Sequence, residues 1–167
     1  MQLLDEGDTY YVFSFEHDVK ALMEDLPALD FDVKCQVVPM GNSSYVNDSY
    51  NWHLSNMVFE MRKRNEAGIF DAVYLDGAHT FLHDGLAVCL LKELVKDGGY
   101  LILDDLLWSF LRSPTLKEKI LKSGMPREQA DDLQVFRVQE LFLANDPNFE
   151  KLWSPKAQRG IFLKRSH

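Results

Sequence analysis

The 167-residue sequence predicts an α/β protein: an open, mostly parallel sheet with helices on both faces, ending in an antiparallel strand pair. Three observations carry that expectation. Strand-like and helix-like patterns alternate along most of the chain. One strand, Tyr100 to Leu103 (YLIL), is apolar throughout, as strands buried on both faces of a parallel sheet are. The last two strand candidates are joined by the short stretch SPKAQR, which suits an antiparallel pair. A composition of 46% hydrophobic and 26% charged residues suits a single domain over residues 1–167 with one core.

Tyr10 to Phe15 (YYVFSF) is aromatic and β-branched and reads as a strand. Glu16, His17 and Asp18 follow as a loop, then Val19, Leu22, Met23 and Leu26 fall at helical spacing. Pro27 closes that helix, and Val33 to Val38 (VKCQVV) makes a second strand ending at Pro39 and Gly41. From Asn42 to Asn56 the chain is rich in Asn, Ser and Tyr, which favours turns, with a helix from about Trp52 to Asn65. Phe70 to Leu75 (FDAVYL) is a third strand, entered through Gly68 and left at Asp76 and Gly77. A helix with Leu86, Val88, Leu90, Leu91, Leu94 and Val95 on one broad face ends at Gly98-Gly99. YLIL then delivers Asp104 and Asp105 at its carboxyl end. Helices near Leu116 to Lys122 and from about Arg127 to Leu143 precede the final strands, Phe149 to Trp153 and Gly160 to Lys164.

A formal charge of -8 repels a polyanion, and the basic clusters Arg62 to Arg64 and Lys164-Arg165 are too short to offset 26 acidic side chains, so no nucleic-acid partner is expected. Cys35 and Cys89 sit in apolar runs and read as small buried hydrophobes in a reducing compartment. The N-terminal MQLLDEGD does not read as a signal peptide and no apolar run reaches membrane-spanning length, so the expected setting is cytoplasmic, with no membrane partner.

In open α/β sheets ligands bind at the carboxyl ends of the strands, which here carry Glu16, Gly41 with Asn42, Asp76 with His79, and Asp104 with Asp105. His79 could act as general base on a hydroxyl, since an imidazole side chain is suited to accept and release protons near neutral pH. Tyr45, Tyr50 and Trp52 could line an acceptor pocket or pack their loop.

FDAVYLDGAHTF, a helix, and then KDGGYLILDD resemble the fourth through fifth strands of class I S-adenosylmethionine-dependent methyltransferases, in particular the small-molecule O-methyltransferase branch; VFSFEHD resembles that family's second strand. The resemblance spans roughly residues 10 to 165. It implies a Rossmann-like fold, S-adenosylmethionine as cofactor, and methyl transfer to a small-molecule hydroxyl. It makes Glu16 the ligand of the cofactor ribose, Met40, Gly41, Asn42 and Ser43 the loop beside the adenine, and Asp76 with His79 the reacting edge, Asp76 also touching the cofactor. Some members bind a divalent cation such as Mg²⁺ through an acidic residue after the fourth strand and an Asp-Asn pair after the fifth; the matching positions are Asp76, Asp104 and Asp105, with Asp-Asp for Asp-Asn.

The family's first strand and glycine-rich loop have no counterpart, since only MQLLDEGDTY precedes VFSFEHD, and the chain reads as truncated at its N-terminus relative to the family. The missing strand is the family's central one. Ten residues bearing Asp5, Glu6 and Asp8 are too few and too acidic to replace it. Two arrangements would satisfy the exposed ladders: direct pairing of Tyr10 to Phe15 with Phe70 to Leu75, or a homodimer. Direct closure is the expected one, and it implies weak or absent cofactor binding. Two other functions compete. One is a non-catalytic interaction module that keeps the fold without the cofactor; the other, from His79, His83 and Asp84 (HTFLHD), is a metal-dependent phosphohydrolase, whose all-helical fold conflicts with the flanking strands.

Overall fold

A computed structural model describes residues 7–28, 35–45, 48–156 and 158–166. Asp5 and Glu6, and the first two residues of the expected VKCQVV strand, Val33 and Lys34, lie outside the described residues. Contacts divide the chain into two units, Met1–His53 and Leu54–His167.

In the first unit, β1 (Thr9–Phe15) leads directly into α1 (Glu16–Asp25), a short 3-10 turn (Leu26–Ala28) and β2 (Gln36–Asn42). No loop separates strand and helix as expected: Glu16 is already helical. Two features favour the early start. Glu16 and Asp18 put negative charge at the positive end of the helix dipole, and Ser14 Oγ donates to Asp18 Oδ2 at 3.0 Å across the junction. β1 and β2 pair in parallel from Thr9↔Gln36 to Phe15↔Asn42. The second strand therefore runs through Pro39 and Gly41, where the sequence suggested its end. A strand with one ladder neighbour tolerates a proline that an interior strand would not.

α2 (Tyr50–Lys63) buries Leu54, Val58 and Met61, an i, i+4, i+7 stripe, and its last turn is tied by Arg62 to Glu93 at 2.7 Å. In the second unit, β3 (Phe70–Leu75), α3 (Phe81–Leu94) and β4 (Val95–Leu103) form a β-α-β crossover with parallel strands. α4 (Lys117–Lys122), α5 (Arg127–Asp131) and α6 (Gln134–Phe142) follow, and β5 (Phe149–Leu152) and β6 (Gly160–Lys164) complete a sheet of order β3-β4-β6-β5. β6 runs antiparallel to both β4 and β5, so the expected C-terminal antiparallel pair is present and the sheet is mixed rather than mostly parallel.

Two helix boundaries differ from expectation. α3 ends at Leu94 and the chain enters β4 at once; Gly98-Gly99 lies inside the strand. Phe70 pairs with Val95 and Ala72 with Tyr100, so the single residue Asp71 faces the excursion Lys96 to Gly99. The expected helix from Arg127 to Leu143 breaks at Asp132 and Leu133. Asp132 is extended and its carboxylate holds Arg137 with bonds of 2.7 and 2.9 Å, while Gln134 Nε2 donates to Gln129 O at 3.1 Å and so answers a carbonyl at the end of α5.

Leu75, Leu101, Leu103 and Phe162 fill one face of the sheet, and α3 and α6 pack together beside it. The opposite face shows Tyr74 and Tyr100, 51% and 42% exposed. The direct closure of β1 on β3 is not formed. Among the described residues β1 pairs with β2 alone and β3 with β4 alone. Of the three strand ends expected on one edge of one sheet, Leu75 and Leu103 are register partners, whereas Phe15 belongs to the separate β1-β2 pair. Cys89 is exposed and Cys35 half-buried, contrary to the expectation of two buried thiols, because Cys89 faces outward from α3. No helix among the described residues is long and apolar enough to cross a membrane.

Candidate functional site

The first unit gathers Glu16, Met40, Gly41 and Asn42 at the carboxyl ends of β1 and β2. Register places Ser14 beside Gly41 and Phe15 beside Asn42, so Glu16 follows the strand end directly. Its carboxylate is exposed, on the first turn of α1. Gly41 matters for a reason internal to the unit: a Cβ there would lie 3.1 Å from both Cα and Cγ of Glu16. The missing side chain lets Glu16 stand against the second strand. Gly41 O is 2.8 Å from His53 Nε2, a contact the sequence did not announce. Asn42 is buried, its Nδ2 donating to Ser43 O at 3.2 Å. Asp48 anchors the following loop by accepting the Ser43 N–H at 2.7 Å; that bond, with one from the Ser43 hydroxyl, holds its carboxyl below the ordinary carboxylate value. Tyr45 and Trp52 are 67% and 64% exposed.

The second unit brings Asp76, His79 and Asp105 together at the carboxyl ends of β3 and β4. His79 Nε2 lies 3.0 Å from Asp76 Oδ1 and 3.4 Å from Asp105 Oδ2. The loop that carries Asp76 and His79 is fixed from below. Ala78 N donates to Asp84 Oδ1 at 3.0 Å, Thr80 caps α3 by accepting the His83 N–H at 3.2 Å, and Phe81 N donates to Gln134 Oε1 at 2.8 Å. His79 holds a left-handed φ of 55° and its ring packs against Trp108 at 4.9 Å, Trp108 in turn meeting Phe110 edge-on. His83 and Asp84, the remaining members of the HTFLHD motif, serve this cap and loop: His83 Nδ1 sits 2.8 Å from Thr80 Oγ1, and Asp84 is buried under Ala78.

Asp104 faces elsewhere. Its backbone N–H extends the β3-β4 ladder to Leu75 O at 3.0 Å, and both its carboxylate oxygens are engaged. Oδ1 accepts the Asp105 N–H at 2.9 Å; Oδ2 accepts Arg159 Nε at 3.1 Å, Arg159 Nη2 at 3.0 Å and the hydroxyl of Tyr74. Arg159 Nη2 also donates to the Tyr74 hydroxyl at 3.0 Å, and its guanidinium lies over the Tyr74 ring. Burial pushes the Asp104 carboxyl up, but the bonds from Arg159 and Asp105, with the charges of Arg159 and Lys156, outweigh it and hold the group below its ordinary value.

A divalent cation on Asp76, Asp104 and Asp105 does not fit this arrangement. Hard cations need free carboxylate oxygens, and Asp104 has given both of its own to donors within the protein. The group that does converge is Asp76, His79 and Asp105, one ligand-type atom each within 4.8 Å of one another. Arg159 and Tyr74 escaped sequence reasoning. Tyr74 lies within FDAVYL, which read only as a strand, and the link between Arg159 and Asp104 spans 55 positions.

No protein-family model matches the chain, and no curated protein sequence matches it. Solved structures do. A Staphylococcus aureus protein provisionally named a caffeoyl-CoA O-methyltransferase aligns over 95% of this chain with a TM-score of 0.53 and 12% identity. The chain has a methyltransferase-like fold. A Corynebacterium glutamicum protein aligns over the same 95% with a TM-score of 0.50 and 14% identity. The methyltransferase-like chain spans 64% and 61% of the lengths of these two structures. Identity at this level speaks to fold, and the reading of chemistry rests on the residues themselves.

Proposed function

We propose that the chain is a methyltransferase-like enzyme that uses S-adenosylmethionine to methylate a small-molecule hydroxyl. The observation that carries this reading is the pairing of His79 with Asp76 and Asp105 at the strand ends. With Nε2 protonated and donating to Asp76 Oδ1, the ring is held in one tautomer and Nδ1 is left to accept a proton. Asp105, 3.4 Å from the same Nε2, stabilises the imidazolium that results. This is the arrangement in which a carboxylate orients a histidine so that its second nitrogen acts as base. The cofactor would supply an electrophilic methyl group. Glu16 suits its ribose, because an exposed carboxylate at a strand end can accept from two hydroxyls, and Met40, Gly41 and Asn42 lie beside it on β2.

Calorimetry with S-adenosylhomocysteine tests the binding half of the proposal. Saturable heat is expected, weakened about tenfold by Glu16→Gln, which keeps the shape and removes the charge. An absence of heat at millimolar ligand would refute it. A second reading, a fold kept for interaction without cofactor binding, is favoured by one observation. β1 and β3 each have a single hydrogen-bonded neighbour among the described residues, and an open strand edge is a template for another chain, including a second copy of this one. Absent heat together with a concentration-dependent dimer in sedimentation would favour that reading.

A further inference from the structure

We propose that Arg159 is the resident cation of the acidic strand ends, occupying the charge role that a divalent metal on Asp76, Asp104 and Asp105 would otherwise fill. Asp76 follows Leu75 and Asp104 follows Leu103, which are register partners, so with Asp105 three acidic side chains leave adjacent strand ends, where a cation offsets their charge. Arg159 is placed to do so. It gives Asp104 Oδ2 two hydrogen bonds of 3.0 and 3.1 Å, it is the first residue before β6, and β6 lies antiparallel against β4 so that Gly160 pairs with Leu103. The ladder therefore delivers the guanidinium to the carboxyl end of β4 by construction. The backbone on both sides is pinned: Arg159 N donates to Lys156 O at 3.0 Å, and Leu106 N donates to Gln158 O at 2.8 Å.

The fork geometry matters as well as the charge. Arg159 addresses Asp104 and Tyr74 at once, Nη2 reaching the Tyr74 hydroxyl, so one side chain joins the ends of β3, β4 and β6. Its own proton affinity is raised, first by the hydrogen bond to Asp104 and then, against the opposing effect of burial, by the charges of Asp104, Asp105 and Asp76. His79 bridges the two that Arg159 does not bond, Asp76 and Asp105. The charge is thus offset from within by the Arg159 guanidinium. This inference concerns charge, and it stands whether or not the methyl-transfer reading does.

Thermal melts of the whole chain in chelator and in millimolar Mg²⁺, Ca²⁺ or Mn²⁺ test it. The wild-type midpoint is expected to stay put; a saturable rise with any of the three overturns the proposal. Arg159→Met frees Asp104 and leaves the acidic group without its cation. That variant is expected to melt lower in chelator and to regain about 3 °C or more with metal, a gain that adding Asp104→Asn abolishes. A folded Arg159→Met that ignores all three metals overturns the proposal. Should the variant not fold in chelator, its refolding is followed with metal added: recovery is expected, and failure to recover likewise overturns it. None of these readings depends on cofactor or methyl transfer, so their failure leaves the calorimetric test of function untouched.

Discussion

The junction where α3 turns into β4 makes a quantitative prediction, because three glycines there separate two physical effects. Gly98 has a φ of +77° and open space where a Cβ would go. Gly99 has no positive φ, but a Cβ would lie 2.9 Å from Lys96 O, 2.9 Å from Val95 Cγ1 and 3.0 Å from Asp71 O. Gly68 has both problems: a φ of +74°, and a Cβ only 2.6 Å from Lys96 Cα and 2.8 Å from Lys96 N and Val95 O. Backbone in the left-handed region costs an alanine about 1 kcal/mol. A forced close contact costs about 1–3 kcal/mol, nearer the upper end when the obstacle is backbone. Gly98→Ala should therefore lose about 1 kcal/mol, Gly99→Ala about 2, and Gly68→Ala about 3–4. For a chain of this length each kcal/mol lowers the midpoint by about 2–4 °C, so Gly68→Ala should melt roughly 10 °C below wild type and Gly98→Ala about 3 °C below. Urea unfolding read by circular dichroism, with the slope unchanged, gives the free energies directly. Equal losses for Gly68→Ala and Gly98→Ala would refute the steric argument, since the two differ in surroundings and hardly in φ.

Two further outcomes follow from the site and its charges. His79→Gln removes the proton acceptor while keeping a polar side chain; turnover should fall about 100-fold or more with the calorimetric affinity for S-adenosylhomocysteine unchanged, and a loss of affinity instead would give His79 a binding role. The bonds from Arg137 hold the Asp132 carboxyl below its ordinary value of 3.8, against a smaller opposing effect of burial, so its contribution is present above that pH and is lost as pH falls through the lower, folded-state value. Asp132→Asn should cost about 1 kcal/mol near neutrality, and the gap to wild type should narrow as pH falls below 3.8; a gap that persists in acid would mean the pair acts through packing alone.

What could be read in the sequence was local. β3 was legible residue for residue because Gly68 and the Asp76-Gly77 pair bracket a continuous β-rich run, and β6 was legible because its apolar residues follow a short polar connection. The break in the last long helix was not, since it depends on Asp132 reaching five positions on to Arg137 and on Gln134 folding back to Gln129. Gly98-Gly99 reads as a helix stop by any local rule; only the pairing of Phe70 with Val95 shows that the strand has already begun. Of the site, Asp76 and His79 were legible because three positions separate them and one turn brings them together.

Asp104 and Asp105 show why the remainder was illegible. Adjacent in sequence, they look equivalent, and both stand at the end of β4. Yet successive residues leave a strand in opposite directions, and Asp105 adopts a left-handed φ of 55° that turns it further. One carboxylate meets Tyr74 and Arg159; the other meets His79. Which partner each finds depends on β6 returning antiparallel along β4, a pairing between segments more than fifty residues apart that leaves no trace in the composition of either. A pair of neighbouring aspartates after a strand is thus an ambiguous signal: it reads as a metal site while the rest of the chain is out of view. The second carboxylate is left to His79 while the first is committed to the Asp105 N–H, Tyr74 and Arg159.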